Sequence, residues 1–250
     1  MTKPKKVLGI DIGGSGVKGA VVNTKSGKLY TKRFRIPTPQ PATPEAIAGV
    51  VKKIAEHFKW TGLIGAGFPG VVQQGIVRTA ANVDDAWINT DIETLLSKAT
   101  NCPVHVLNDA DVAGFGEMKF GAGKKEKGSV YLITVGTGLG TVMFIKGKLV
   151  PNLEMGHIIL HGEDAEKYAS DAAREREGLD WEVWAGRFNE YLERIEALTW
   201  PDLIIIGGGV SKKDDKFFSH IKTRAKIVPA KLLNEAGIIG AAVAAKAHFS

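Results

Sequence analysis

Along the first hundred residues, short apolar runs are broken by glycine clusters, a pattern of buried strands and tight turns rather than of long helices. Positions 7–12 (Val-Leu-Gly-Ile-Asp-Ile) read as one buried strand, Gly13-Gly14-Ser15-Gly16 interrupts it, and positions 17–22 resume it. Lys25-Ser26-Gly27 predicts a hairpin turn into a third strand over 28–36, so three antiparallel strands open the chain. The period then changes. Thr43 can cap a helix that starts at Pro44, and Ile47, Val50, Val51, Ile54 and Phe58 recur at helical spacing on one face. A glycine-rich strand is expected over 63–68. Thr90 and Glu93 have the spacing of a capping box for a helix over 92–99. An apolar run at 104–107 then delivers Asn108 and Asp109 to the start of another helix.

The same grammar returns further on. Positions 130–135, Gly136-Thr137-Gly138-Leu139-Gly140, positions 141–145 and Gly147-Lys148-Leu149 repeat the strand, glycine turn, strand and Gly-Lys-Leu hairpin of residues 7–29. A duplicated unit predicts an α/β fold of two similar domains facing each other across a central cleft. The expected division is 1–109 plus 236–250 for the first domain and 110–235 for the second. Helices are expected over 163–177 and 181–198, the latter with Val183, Trp184, Phe188, Tyr191, Leu192 and Ile195 on its apolar face. A strand at 202–206 runs into Gly207-Gly208-Gly209. The small-residue helix at 236–248 is expected to pack closely on the first domain, carrying the chain back to it.

Composition narrows the class. The apolar fraction of 44% and charged fraction of 24% are those of a globular chain, which excludes disordered and fibrous classes. No run approaches the ~20 apolar residues needed to cross a bilayer, and no signal-peptide core precedes Val7, so a cytoplasmic protein without a membrane partner is expected. The single cysteine, Cys102, rules out an intramolecular disulfide framework and a multi-cysteine zinc site. Thirty-three Lys and Arg against 27 Asp and Glu leave a charge of +6, which favours polyanionic partners without naming one.

Gly14-Ser15-Gly16-Val17-Lys18-Gly19 matches G-x-G-x-x-G, but a dinucleotide site needs a helix next and an acidic residue about 20 positions on; here a strand follows and Arg33 to Arg35 are basic. No Walker-type loop occurs. Phosphate can instead be held by glycine turns whose backbone N–H groups surround its oxygens. Two such turns are present, one with Gly13, Gly14, Ser15, Gly16 and Lys18, the other with Thr137, Gly138 and Gly140. Asp11 beside the first could orient a hydrated Mg²⁺ or merely cap the turn. Asn108 and Asp109 at a strand-to-helix junction could be N-caps; alternatively, Asp109 is a base accepting a proton from a hydroxyl, kept ionised by the positive helix end.

With these residues assembled, the sequence resembles the ROK family of sugar kinases, and within it the polyphosphate-using glucokinases. The resemblance rests on residues 11–19, Gly67-Phe68-Pro69-Gly70, the segment from Asn82 to Trp87, Asn108-Asp109-Ala110, the second glycine turn, Glu154-Met155-Gly156-His157 and Gly207-Gly208-Gly209-Val210-Ser211-Lys212. It implies an actin-like (ribonuclease H-like) fold and a homodimer. It also implies Asp109 as catalytic base, with Asn82, Asn108, Asp109, Glu154, His157 and Glu166 holding the hydroxyls of glucose or another hexose. The donor would be inorganic polyphosphate, with ATP left open because Gly208 and Gly209 could approach an adenosine. Lys212, together with Lys18, Lys124, Lys125, Lys146 and Lys148, is a candidate for a basic track. Many family members carry a Cys-x-Cys-Gly-x-x-Gly-Cys zinc cluster after the Glu-x-Gly-His motif; this chain has Asp164-Ala165-Glu166 there, so no zinc is expected and the polyphosphate branch is favoured. A DNA-binding regulator of the family would need a module ahead of Val7, so nucleic acid is not an expected partner. A non-catalytic sugar-binding protein would have no need of Asp109.

Overall fold

The computed structural model describes residues 5–80 and 83–250. The chain opens with β1 (Lys6–Gly13), β2 (Gly16–Asn23) and β3 (Phe34–Ile36), antiparallel in turn. Helix α1 (Pro44–His57), strand β4 (Ile64–Phe68) and a short ribbon of β5 (Val72–Gln73) and β6 (Ile76–Val77) follow, then α2 (Ile92–Thr100), β7 (Val104–Asn108) and α3 (Asp109–Phe120). The second half contains β8 (Ser129–Val135), β9 (Leu139–Ile145) and β10 (Lys148–Val150), a ribbon of β11 (Ile159–Leu160) and β12 (Glu163–Asp164), and helices α4 (Ala165–Ala169), α5 (Asp171–Arg176) and α6 (Trp181–Thr199). Strands β13 (Leu203–Gly208) and β14 (Lys226–Pro229) and helix α7 (Ala236–His248) complete it.

Two five-stranded sheets result, ordered β3-β2-β1-β4-β7 and β10-β9-β8-β13-β14. They match position for position: an antiparallel hairpin at one side, then a parallel trio, β1, β4 and β7 in the first and β8, β13 and β14 in the second. The repeated sequence grammar is therefore a repeated sheet, the duplicated α/β plan of actin-like proteins. The β9–β10 connection turns on Lys146-Gly147. Both residues have positive φ (51° and 75°), the conformation a two-residue hairpin turn demands, whereas in the corresponding first hairpin only Gly27 has a positive φ (74°).

The chain forms two compact units, one running to Phe120 and including Glu235–Ser250, the other Gly121–Asn234. Helix α3 thus belongs with the first, whereas the expected boundary at 109 assigned it to the second. The reason is close packing of backbone on backbone. A β-carbon on Gly240 of α7 would lie 1.5 Å from the Val112 carbonyl of α3; one on Gly9 or Gly65 would lie 2.0 or 1.9 Å from the carbonyls of Ile238 and Ala241. The glycines of β1 and β4 and the small-residue face of α7 are thus one device that brings a helix onto a sheet at a distance no side chain would permit, as expected for this helix. On the other side of the first sheet α1 buries Ile47, Val51 and Ile54 completely, and Trp87, also fully buried, donates its indole N–H to the Ala42 carbonyl at 2.8 Å. The second unit has its own core, in which Trp184, Phe188, Tyr191, Leu192 and Ile195 of α6 lie against Tyr131, Ile133, Ile204 and Ile206.

Several expectations need correcting. The third strand covers Phe34–Ile36 and not all of 28–36; Leu29 makes an isolated bridge to Val22, and the chain leaves the sheet in between. Helix α2 is capped by Asp91, whose carboxylate accepts from the Thr94 N–H at 2.9 Å, and not by Thr90. Glu93 is drawn off by tertiary partners, His105 Nδ1 at 2.7 Å and the Val106 N–H at 2.9 Å. The expected helix over 163–177 is a strand pair followed by α4 and α5, because Ser170 is extended (φ −74°, ψ 166°) and caps the second piece by accepting from the Ala173 N–H. Val183 is 51% exposed and does not belong to the buried face of α6. Asn82 lies outside the described residues.

Candidate active site

The first glycine turn joins β1 to β2, and Gly13 faces Gly16 across it. Neither of these glycines has a positive φ; Gly16 is needed for room, because a β-carbon there would fall 2.5–2.7 Å from the Arg35 guanidinium. That guanidinium donates from Nη2 to the Ser15 carbonyl at 2.6 Å, and the Thr38 hydroxyl donates to the Gly13 carbonyl. The turn is therefore braced from β3 and just beyond it, leaving its backbone at the surface. Within the sheet Asp11 stands opposite Lys18, with Oδ2 3.6 Å from Nζ. Burial raises the Asp11 carboxyl above its usual range, and Lys18 pulls it back. Helix α7 begins at this carboxylate: a β-carbon on Gly237 would be 3.2 Å from Asp11 Cγ.

Asn108 and Asp109 lie at the same carboxyl edge of the parallel strands. Asp11 pairs with Gly67 on β4, and Phe68 with Asn108 on β7, so two strand spacings of ~4.8 Å set the β1 and β7 ends about 10 Å apart. Ligands of α/β sheets collect at this edge, where strands hand over to helices. Asn108 is the N-cap the sequence allowed. Its Oδ1 accepts from the Ala110 and Asp111 N–H groups at 2.8 and 3.2 Å, and its amide donates to the Gly70 carbonyl at 3.2 Å. Asn108 is buried, whereas Asp109 is exposed at the first position of α3, with Oδ1 accepting from the Ala110 N–H at 2.7 Å. The two neighbours thus divide the alternatives between them. Asn108 holds the helix start and the Gly67–Gly70 loop, and Asp109 presents a carboxylate to solvent at the positive end of a helix dipole.

In the second unit the turn between β8 and β9 carries Gly136, Thr137 and Gly138, with Gly140 inside β9. Glu166 of α4 sits against it. Its Oε2 accepts from the Leu139 N–H at 3.4 Å and would be 2.3 Å from a β-carbon on Gly138. Thr141 fixes the neighbouring segment, donating to the Leu153 carbonyl and accepting from the Met155 N–H at 3.0 Å, while Gly156 packs where a β-carbon would be 2.3 Å from the Leu139 carbonyl. This clamp gathers four polar residues beside the turn. His157 approaches Asp164 at 3.3 Å and Glu154 at 3.8 Å, and single atoms of His157, Asp164 and Glu166 lie within 4.8 Å of one another. Burial raises the Glu154 carboxyl; His157 opposes the rise and Glu166 adds to it. Gly208 and Gly209 are exposed at the end of β13, and Gly208, at φ 78°, packs where a β-carbon would be 2.3 Å from the Val135 carbonyl that leads into the turn. Lys212 is exposed in the 3₁₀ segment that follows.

The ROK family model matches residues 7–178. The chain belongs to the ROK family. Among its relatives, the polyphosphate glucokinase of Mycobacterium tuberculosis (strain CDC 1551 / Oshkosh) is 44% identical over 98% of this chain and 93% of its own length. The glucokinase of Streptomyces coelicolor is 28% identical over 94% of this chain and 96% of its own. Of solved structures, the inorganic polyphosphate/ATP-glucomannokinase from Arthrobacter sp. strain KM superposes with a TM-score of 0.91 at 47% identity, covering 99% of this chain and 100% of that one. A ROK glucokinase from Streptomyces griseus shares the fold with a TM-score of 0.82 at 24% identity.

The first unit holds the first glycine turn together with Asn108 and Asp109, and the second holds the other glycine turn together with Glu154, His157 and Glu166. Sequence reading missed Arg35, Thr38, Asp164 and Thr141. Arg35 and Thr38 are 20 and 25 residues from the carbonyls they hold, so only the pairing of β2 with β3 reveals them. The alternation Phe34-Arg35-Ile36 was the available signal: a cation between two apolar residues on a short edge strand.

Proposed function

We propose that this protein is a hexose kinase that transfers the terminal phosphoryl group of inorganic polyphosphate, or of ATP, to the 6-hydroxyl of glucose. The observation that carries the reading is identity of 44% with a polyphosphate glucokinase across nearly the full length of both chains. Asp109, exposed at the start of α3 on the sheet edge shared with the β1–β2 turn, is the residue for the chemistry. It accepts the hydroxyl proton as the sugar oxygen bonds to phosphorus, while the bond from phosphorus to the rest of the donor breaks and its electron pair leaves with the shortened chain. Charge in such a transition state is spread over phosphate oxygens, so holding and neutralising them supplies most of the rate gain, and an ordinary ionised aspartate suffices as base.

Sugar hydroxyls are held by Glu154, His157 and Glu166, a group that offers both donors and acceptors, with Asn108, Asp109 and Asn82 completing the set. The Asn108 amide uses one of its two N–H groups on Gly70, which leaves a donor for a ligand. Phosphates lie on Gly13, Gly14, Ser15, Gly16 and Lys18 and on Thr137, Gly138 and Gly140. Gly208, Gly209 and Lys212 extend the donor site. Asp11, a carboxylate two residues before the first turn, would hold a hydrated Mg²⁺ whose charge would offset the cost of keeping that buried carboxyl ionised; the ion would supply positive charge to the donor phosphates. A cytoplasmic homodimer completes the reading. Among the described residues no helix is long and apolar enough to cross a membrane, and Leu198 and Trp200 at the end of α6 are 59% and 67% exposed.

The test is turnover of glucose by the purified protein with Mg²⁺ and either polyphosphate or ATP, followed as glucose 6-phosphate. Formation with either donor supports the reading, and formation with neither overturns it.

A further inference from the structure

Cross-strand pairing aligns three charged residues in one row beside the first glycine turn: Asp11 on β1 opposite Lys18 on β2, and Lys18 opposite Arg35 on β3. The charges are not equally engaged. Lys18 lies 3.6 Å from the Asp11 carboxylate, so much of its field is cancelled locally, whereas Arg35 touches no acid: its one polar contact among the described residues is the Ser15 carbonyl, a neutral acceptor, at 2.6 Å from Nη2. The guanidinium lies across Gly16, within 2.7 Å of where a β-carbon would stand, and the residue is exposed. A guanidinium has five N–H donors in a rigid fork suited to phosphate oxygens, and one of them is spent here. Gly16 is the vacancy that lets this fork reach the turn, and it sets an exposed cation directly beside the backbone to which phosphate is assigned above.

We infer that Arg35 is a donor-site residue, fixing the turn through Ser15 and presenting its remaining N–H groups to the phosphate chain. The inference rests on the phosphotransferase reading above and adds to it a specific cation, contributed by the edge strand, whose charge the anionic donor meets. Because polyphosphate carries charge along its whole length, losing Arg35 weakens the polyphosphate donor more than it alters the sugar site.

The experiment compares wild type with Arg35→Gln, Arg35→Lys and Thr38→Val. Measured for each are the Michaelis constants for polyphosphate, ATP and glucose, the salt dependence of kcat/KM for polyphosphate, binding of inorganic tripolyphosphate by calorimetry, and the melting temperature. Arg35→Gln is expected to raise the polyphosphate KM about tenfold and to reduce the slope of log kcat/KM against log salt by roughly 0.7–0.9, the share of one phosphate contact, with the glucose KM unchanged. Arg35→Lys should keep the wild-type salt slope while losing part of the affinity. Thr38→Val loosens the same turn without removing charge, so it should leave the slope alone. If Arg35→Gln also lowers the melting temperature, the lysine variant carries the comparison, since its slope isolates charge from bracing.

Active wild type with unchanged donor constants and salt slope in Arg35→Gln overturns this inference and leaves the kinase reading standing. Wild type that binds tripolyphosphate through Arg35 but phosphorylates no hexose overturns the kinase reading and retains the anion site. Absence of tripolyphosphate binding to wild type overturns the inference outright.

Discussion

Asp109 and Asn108 show how adjacent residues of similar chemistry are given separate work by burial. Asn108 is enclosed and spends its carbonyl oxygen on two amides of α3, while Asp109 is exposed at the same helix start. Asp109→Asn keeps the size and the neighbouring amide contact but cannot take a proton. It is expected to lower kcat by about 10²–10⁴ while leaving glucose affinity near wild type, read by steady-state kinetics together with calorimetric glucose binding. A retained full kcat would remove Asp109 from the mechanism. Asp91 has no such role and tests capping alone. Thr94, through its amide and then its hydroxyl, holds the Asp91 carboxyl below the usual carboxylate range. A depressed folded value means the stabilisation is present above the unfolded value near pH 4 and disappears as pH falls through the folded one. Asp91→Ala should therefore cost about 1 kcal/mol in denaturant unfolding at pH 7, and the difference from wild type should shrink towards pH 2.

Among elements, the junction of α7 with β1, β4 and α3 is the least forgiving. Its glycines place carbonyl groups where β-carbons would need to be, so no rotamer change can relieve an added side chain. Gly240→Ala or Gly9→Ala should destabilise by at least 1–3 kcal/mol in urea unfolding, whereas Gly49→Ala on α1, where a β-carbon meets nothing within 4 Å, should be neutral or stabilising. Equal effects at Gly240 and Gly49 would refute the close-packing account. Since α7 also starts at Asp11, shifting it in the glycine variants is expected to disturb the donor turn before the sugar group. A raised donor KM at a preserved glucose KM would show this.

For the whole molecule, a charge of +6 includes Lys18 and Arg35 on the strands beside the first glycine turn and Lys212 in the segment after β13, whereas Lys146 and Lys148, expected by sequence closeness to lie at the second turn, sit at the far end of β9, where Ile145 pairs with Ser129 and Lys148. If several of them meet the donor, activity with polyphosphate should fall steeply between 50 and 200 mM salt, roughly in proportion to the number of contacts, and activity with ATP should fall less. Parallel salt profiles for the two donors would count against an extended basic track.

Sequence alone sufficed for the duplicated sheet, the two glycine turns, the start of α3 and the return of α7, because each is written in local patterns: apolar period, turn residues, and small residues where backbones meet. Even the Lys-Gly hairpin turn of the second unit could be read from two residues. It did not reveal the Asp91 cap in place of Thr90, since Glu93 was taken by His105 and Val106, groups twelve or more positions away. Nor did it reveal the break at Ser170 or the reach of Arg35 to Ser15. The Asp91 and Ser170 caps are local bonds, to Thr94 and Ala173, that were not read because adjacent residues, Thr90 and Asp171, could equally have begun those helices. Tertiary structure alone decided Glu93 and Arg35, which settle on partners that strand pairing brings within about 3 Å and that lie far off in sequence.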